Sequence, residues 1–429
     1  MIPSAWIEKA IRINSVTNQS NEAMVRFLMP LLEDAGLKVE CLKVEEGGVS
    51  FFNLVARSHS NDTRSVLALH THLDTVAPGD KARWTRTKCD PFRATTTRER
   101  IYGLGSADVK LDFLCKIMAV MQTKPFRFPF DLVGTYGEER GLIGAWKLSE
   151  TKRLNYKYAV IGEPSNLAII YAHKGHLIAD VAIDFSDTKP QGSSRQMTWK
   201  GESAHSSTPQ LGDNALMKAL HMISKRHWGV LSFTGGTGSN LIPDQCQAEL
   251  SSDQAASTKI LIRFYQWLTQ TTSELSKQRD RRFKPSHPTL SLNQARMQKN
   301  ELILTFDSRL LPDTDSDALV IRWQKQLKEL GLKVKSMTVD PPLKGSRQGS
   351  LIRFAESSLR PLKVKPVLET KASSTEAAIY HKSGAEAIVF GPGISIGNVH
   401  RPNEYMVKQH LTIATHFYKN LLQQDIGAK

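Results

Sequence analysis

The chain has 429 residues, enough for two or three domains and a large buried core. Its apolar fraction is 40%, with no run of the roughly 18 apolar residues that a membrane-crossing helix needs, so no membrane span is expected. Lys and Arg (57) outnumber Asp and Glu (42) for a formal charge of +15, but they are scattered and match no nucleic-acid-binding module, so the excess is read as steering an anionic small molecule.

Helix and strand patterns alternate through the first third. Ala5–Ile13 and Asn21–Ala35 read as helices, the second capped by Asn21, with Pro30 as a candidate kink and Gly36 just past its end. Leu37–Val44, Phe51–Ala56 and the short apolar run Ser65–His70 read as strands, followed by a helix at Phe113–Gln122. Asp131–Tyr136 and Tyr158–Ile161 are further strands, separated by a helix at about 142–150. Near Ala172 the pattern changes. His176–Phe185 and Gln196–Lys200 alternate with period two, as in an antiparallel sheet with one wet face. Helices at about 213–226, 258–277 and 315–330 lie among strands at 229–234, 247–251, 289–292 and 301–307. After Gly345 come helices at 351–358, 376–383 and 409–422 and a buried strand at Ala387–Phe390. The fold class expected is α/β, with a mixed, mostly parallel sheet flanked by helices and an inserted α+β lid or dimerisation domain. The boundaries are 1–173 and 345–429 for the α/β part and 174–344 for the insertion.

The N-terminus lacks a basic segment followed by an apolar run, so it does not read as a secretory leader. Cys41, Cys89, Cys115 and Cys246 form no C-x-x-C pair and read as reduced, buried small residues of a cytoplasmic protein. The concentrated basic run, Lys277 to Lys284, reads as a solvated helix end or loop.

Acidic and His-bearing motifs fall where strands run out, which is where open α/β sheets bind ligands. His72 and Asp74 follow the strand ending at His70. Asp108 follows the glycine-rich turn Gly103-Leu104-Gly105-Ser106-Ala107. Glu138-Glu139 follow Tyr136, Glu163 follows Ile161, and His400 lies beyond Gly391-Pro392-Gly393. Two imidazoles and several carboxylates on one rim suit a pair of zinc ions. His70, inside its strand, reads as a strand residue and not a ligand.

Taken in order, these stretches resemble the M20 metallopeptidase family, in the group of acetylornithine deacetylase and succinyl-diaminopimelate desuccinylase. The matching segments are His72-Leu73-Asp74-Thr75-Val76-Ala77-Pro78, Tyr102 to Lys110, Tyr136-Gly137-Glu138-Glu139-Arg140-Gly141, Gly162-Glu163-Pro164-Ser165, Lys200 to Ser207, Asn240-Leu241-Ile242-Pro243, Asp307-Ser308-Arg309 and His400-Arg401-Pro402-Asn403-Glu404. The resemblance implies two Zn2+, with Co2+ or Mn2+ as substitutes. Asp108 would bridge them, His72 and Glu163 would complete one site, and Glu139 and His400 the other. It implies Glu138 as general base toward the attacking water, and Asp74 as the group behind the His72 ring. His205 would stabilise the oxyanion across a homodimer, and Asn240 and Arg309 would bind the substrate backbone and carboxylate. The implied reaction removes an acyl group from an N-acyl amino acid. The alternative within the family is a metallo-carboxypeptidase or dipeptidase acting on a short peptide. The chain departs from the family pattern at Leu104, at Leu111, at Ser374-Thr375-Glu376 where a Thr/Ser-Asp pair is common, and across 252–299, which looks like an insertion.

Overall fold

The computed structural model describes residues 1–59, 64–188 and 193–427. In chain order it holds α1 (Ser4–Arg12), α2 (Glu22–Asp34), β1 (Lys38–Glu46), β2 (Val49–Arg57), β3 (Leu67–His72), β4 (Thr95–Thr96), β5 (Arg100–Tyr102), α3 (Lys110–Met121), β6 (Phe130–Thr135), α4 (Ile143–Glu150), β7 (Tyr158–Gly162) and β8 (Ile169–His173). Next come β9 (Gly175–Asp184), β10 (Arg195–Lys200), α5 (Ala215–Arg226), β11 (Gly229–Gly235), β12 (Gln245–Ser251), α6 (Ala256–Leu275), β13 (Thr289–Gln298), β14 (Glu301–Leu310), α7 (Ser316–Glu329) and β15 (Lys333–Asp340). The last part holds α8 (Ser350–Leu359), β16 (Leu368–Lys371), α9 (Ala377–Lys382), β17 (Glu386–Val389), β18 (Tyr405–Val407) and α10 (Lys408–Leu422). The chain divides into two compact units. The first comprises Met1–Ala172, Leu343–Thr370 and Thr375–Lys429, and the second His173–Pro342 with Lys371–Ser374.

The first unit is built on an eight-stranded sheet of order β1-β2-β6-β3-β7-β17-β8-β16. Its four central strands, β6-β3-β7-β17, run parallel. Strands β1 and β2 form a hairpin through Gly47-Gly48 and join β6 antiparallel, and β17 meets β8 antiparallel, so the parallel part is the centre only. Every residue of β3, β6 and β7 is buried, as in strands covered on both faces, and the polar ones among them, such as His70, Thr71, Asp131 and Thr135, are hydrogen-bonded. The period-two alternation of β3 sends Ala68 and His70 toward α4 and α9, and Thr71 toward α3. Asn21 stands at the N-cap position of α2 but does not cap it. Its side chain pairs with the backbone N–H (2.9 Å) and carbonyl (2.8 Å) of Phe52, stapling α2 to β2.

The second unit is a seven-stranded sheet of order β10-β12-β11-β13-β14-β9-β15, antiparallel in each described pairing. One of its faces buries Leu177, Val181, Phe233 and Phe306 against Leu216, Phe264 and Trp323 of α5, α6 and α7. Asn214 and Asp315 cap α5 and α7 by accepting from Met217 and Ala318. The basic run is the solvated loop expected, just past the end of α6, with Lys277, Arg279, Arg281, Arg282 and Lys284 exposed and Phe283 anchoring it. Phe283 is 2% exposed, and buried Lys174 donates to the carbonyls of Pro285 (2.8 Å) and His287 (2.7 Å). Of the cysteines, only Cys115 and Cys246 are buried, whereas Cys41 and Cys89 are exposed on β1 and in the loop after β3. Among the described residues no helix is long and apolar enough to cross a membrane.

Candidate metal centre

Five side chains reach one rim of the first unit because separate chain segments end there. His72 is the last residue of β3, and Glu163 follows the last residue of β7. Beyond β6, Gly137 takes a left-handed conformation (φ 68°) and turns the chain into the single helical turn Glu138–Arg140, which presents Glu139. Asp108 precedes α3. His400 lies in the loop between β17 and β18. Gly162 has no room for a side chain, since a Cβ there would lie 1.8 Å from an Asp112 oxygen.

Nε2 of His72 lies 3.2 Å from Oδ1 of Asp108 and 3.9 Å from Oε1 of Glu163. Nε2 of His400 lies 3.2 Å from Oδ2 of Asp108 and 3.1 Å from Oε1 of Glu139. Asp108 thus offers a different oxygen to each imidazole. Ligand atoms bound at about 2.0–2.1 Å in tetrahedral geometry sit about 3.3–3.4 Å apart, close to the three spacings that involve Asp108 or His400, with His72–Glu163 wider. The electrostatics agree. Burial works against the charged form of His400, yet Asp108 and Glu139 push its imidazole up to about 11. Burial opposes charge on His72 as well, and Asp108 and Asp74 hold it well above the ordinary range. The carboxylates favour positive charge among them, and the oxygen and imidazole donors suit a divalent cation.

Asp74 is buried behind His72. Its carbonyl oxygen is 3.1 Å and its carboxylate 3.5 Å from Nδ1, so the Nδ1 proton points to Asp74 and Nε2 is left facing the cluster, a tautomer assigned from these partners. Burial raises the Asp74 pKa, but His72, Thr17 and the backbone N–H of Glu138 outweigh it and lower it. Its two oxygens accept from the N–H groups of Glu138 (3.1 Å) and Glu139 (3.2 Å). One carboxylate therefore orients both His72 and the turn that carries two further site residues. Burial, reinforced by the charges of Glu163, Glu139 and Glu376 and opposed by His72, raises the carboxyl of Glu138 well above the ordinary range.

Glu404 was part of the last motif without a role. Its buried carboxylate accepts three backbone N–H groups, from Gly105 (3.2 Å), Ala107 (2.7 Å) and Asp108 (3.1 Å). Burial and the Asp108 charge push it up to about 7. It ties the turn bearing Asp108 to the loop bearing His400.

His205, Asn240 and Arg309 belong to the second unit and converge there. The N–H of Ser206 donates to the carbonyl of Asn240 (2.9 Å), and Arg309 donates to Oγ of Ser206 (3.3 Å). His205 is exposed, and its Nδ1 accepts from the N–H of Ser207 (3.1 Å). Arg309 is 4% exposed and is held by Asp307 at 3.1 and 3.2 Å, while Asp307 also faces Nε2 of His176 at 2.6 Å.

Comparison with known proteins follows the same lines. A 205-residue stretch, 47% of this chain, is 35% identical to acetylornithine deacetylase of Erwinia tasmaniensis, covering 48% of that protein. A 202-residue stretch is likewise 35% identical to acetylornithine deacetylase of Proteus mirabilis, covering 46% of it. The match thus spans about half the length of these curated relatives. Among solved structures, aminoacylhistidine dipeptidase from Vibrio alginolyticus aligns with a TM-score of 0.67 at 14% identity, over 98% of this chain and 95% of that one. The M20 family metallo-carboxypeptidase Sso-CP2 from Sulfolobus solfataricus aligns with a TM-score of 0.66 at 16% identity, over 98% of both chains. At these identities the likeness is one of fold. The model of peptidase family M20/M25/M40 matches residues 68–424, most of the chain, and the protein belongs to that family.

Proposed function

We propose that the protein is a dinuclear zinc amidohydrolase that removes the acyl group from an N-acyl amino acid. The observation that carries this is the shared position of Asp108, with one oxygen facing His72 and the other His400. Asp108 would serve both ions, His72 and Glu163 would hold one and Glu139 and His400 the other, with Co2+ or Mn2+ as substitutes. Bound there, divalent ions supply Lewis acidity toward the amide carbonyl and toward water.

The remaining steps belong to side chains. Glu138 takes a proton from the attacking water and returns it to the departing amine nitrogen. A carboxyl raised by burial suits a proton carrier working near neutral pH. With its Nδ1 directed to Asp74, His72 would present Nε2 for coordination. His205 stabilises the developing oxyanion, presented across a homodimer, and Asn240 and Arg309 bind the amino-acid end of the substrate. A guanidinium oriented by Asp307 suits a carboxylate.

The 35% identity to acetylornithine deacetylases favours deacylation, and the fold likeness to a dipeptidase and a carboxypeptidase keeps peptide hydrolysis as the second reading. The test is a panel of N-acetyl and N-succinyl amino acids, N-acetylornithine among them, against dipeptides, using zinc- and cobalt-loaded protein. The expected kcat/KM is about 100-fold higher for the best N-acyl amino acid than for any dipeptide. Activity confined to dipeptides would replace deacylation with the second reading.

A further inference from the structure

Strand β3 carries buried polar networks on both faces just before it delivers His72. On the α3 side, the ammonium of Lys116 donates to the carbonyl of His70 and to Oγ1 of Thr71 (2.6 Å) and pairs with Asp112 at 2.7 Å. Asp112 also accepts from Thr71 and from the hydroxyl of Tyr418, each at 2.6 Å. On the α9 side, Nε2 of His70 pairs with the carboxylate of Glu376, and Nδ1 lies 2.8 Å from the hydroxyl of Tyr380. The second oxygen of Glu376 accepts from Oγ1 of Thr135 at 2.7 Å. His70, Thr71, Asp112, Lys116, Thr135, Glu376 and Tyr380 are all 0% exposed.

Buried ion pairs are a poor source of stability, because desolvation offsets their attraction, and well-packed apolar residues often do as well or better. What this pair does contribute is position. Thr135 is the cross-strand partner of His72, and the N–H of Leu73 closes the two strand ends on the carbonyl of Thr135 at 2.7 Å. Glu138 and Glu139 follow Thr135 by three and four residues. The Glu376 carboxylate thus joins the two strand ends from which two proposed metal ligands and the proposed base depart.

We propose that Glu376, acting through His70 and Thr135, is a positioning residue for the metal centre: it locks the ends of β3 and β6 so that His72 and Glu138-Glu139 emerge with the spacing that two ions require. The inference rests on the dinuclear reading above. It gives a function to the departure at Ser374-Thr375-Glu376, since the carboxylate there spans both His70 and Thr135.

The test compares the double variant His70→Leu/Glu376→Met, which replaces the pair with apolar residues, with Glu376→Gln, whose amide can remake both hydrogen bonds. The readouts are thermal midpoint, zinc affinity by chelator competition, the visible spectrum of the Co2+-loaded protein, and kcat and KM separately. In a folded double variant, zinc affinity and kcat are expected to fall about 10–100-fold with KM within about threefold, while Glu376→Gln keeps zinc affinity within about threefold. The Co2+ spectrum should shift in the double variant only. A folded double variant with the parent's zinc affinity and Co2+ spectrum overturns the inference, as does a Gln variant as impaired as the double variant. Should the double variant not fold, Glu376→Asp, too short to span both partners, carries the same expected losses, and parent-like behaviour there overturns the inference equally. A parent protein that binds no metal refutes the proposed function itself, whereas a metal-binding parent with undisturbed variants refutes only the positioning role.

Discussion

Glu138→Gln is expected to lower kcat by about 10³-fold while leaving metal content, KM and thermal midpoint close to those of the parent. The backbone of Glu138 is held by Asp74 whatever its side chain, so the turn that presents Glu139 survives the substitution. Gln has nearly the shape of Glu and keeps an oxygen that can accept a hydrogen bond from water, but it cannot take the proton. If Glu138 is the base, the loss falls on kcat because proton transfer occurs in the transition state, and ground-state binding is untouched. Steady-state kinetics with metal analysis of the same preparation checks this. A variant within about tenfold of the parent in kcat, with full metal content, removes Glu138 from the base role.

Asp108→Ala is expected to abolish both activity and high-affinity metal binding. Other ligands serve one proposed ion each, but Asp108 faces both imidazoles, so its loss strips an oxygen from both sites at once. The stability consequence is separable. Ions that bind only the folded state stabilise it by mass action, about 4 kcal/mol at a thousandfold excess over Kd. Zinc should therefore raise the thermal midpoint of the parent and leave that of Asp108→Ala where it was. Thermal melts of both proteins across a zinc series read this directly, and a variant stabilised by zinc as strongly as the parent would contradict the bridging role.

The proposed ligands were legible because each sits in a short local motif, at or just past a strand end for His72, Glu139 and Glu163 and in a loop for Asp108 and His400, where side-chain type and position are both written in consecutive residues. The central strands were legible for a similar reason: full burial demands unbroken apolar runs such as Leu67-Ala68-Leu69. Other elements gave no such signal. Strand β15 alternates around Lys333, Lys335 and Ser336 at a sheet edge, and β16 reads Leu-Glu-Thr-Lys, so neither stands out from a loop. The supporting residues were illegible for a deeper reason. Glu376 meets His70 across 306 positions and Glu404 meets Asp108 across 296, and no local pattern marks a contact made only by the folded chain. Asn21 shows the same limit. Its place before a helix suggested a cap, but a tertiary partner, Phe52, took the side chain instead. Arg309, read as a substrate-carboxylate binder, is held by Asp307, two residues earlier on the same strand.

The most direct test of the central claim is stepwise titration of metal-stripped protein with Zn2+, following both bound metal and hydrolysis of an N-acyl amino acid. The account predicts tight uptake of two ions per chain, with activity appearing as they bind. Uptake of no zinc, or hydrolysis that is already complete in the stripped protein and indifferent to added metal, would contradict it.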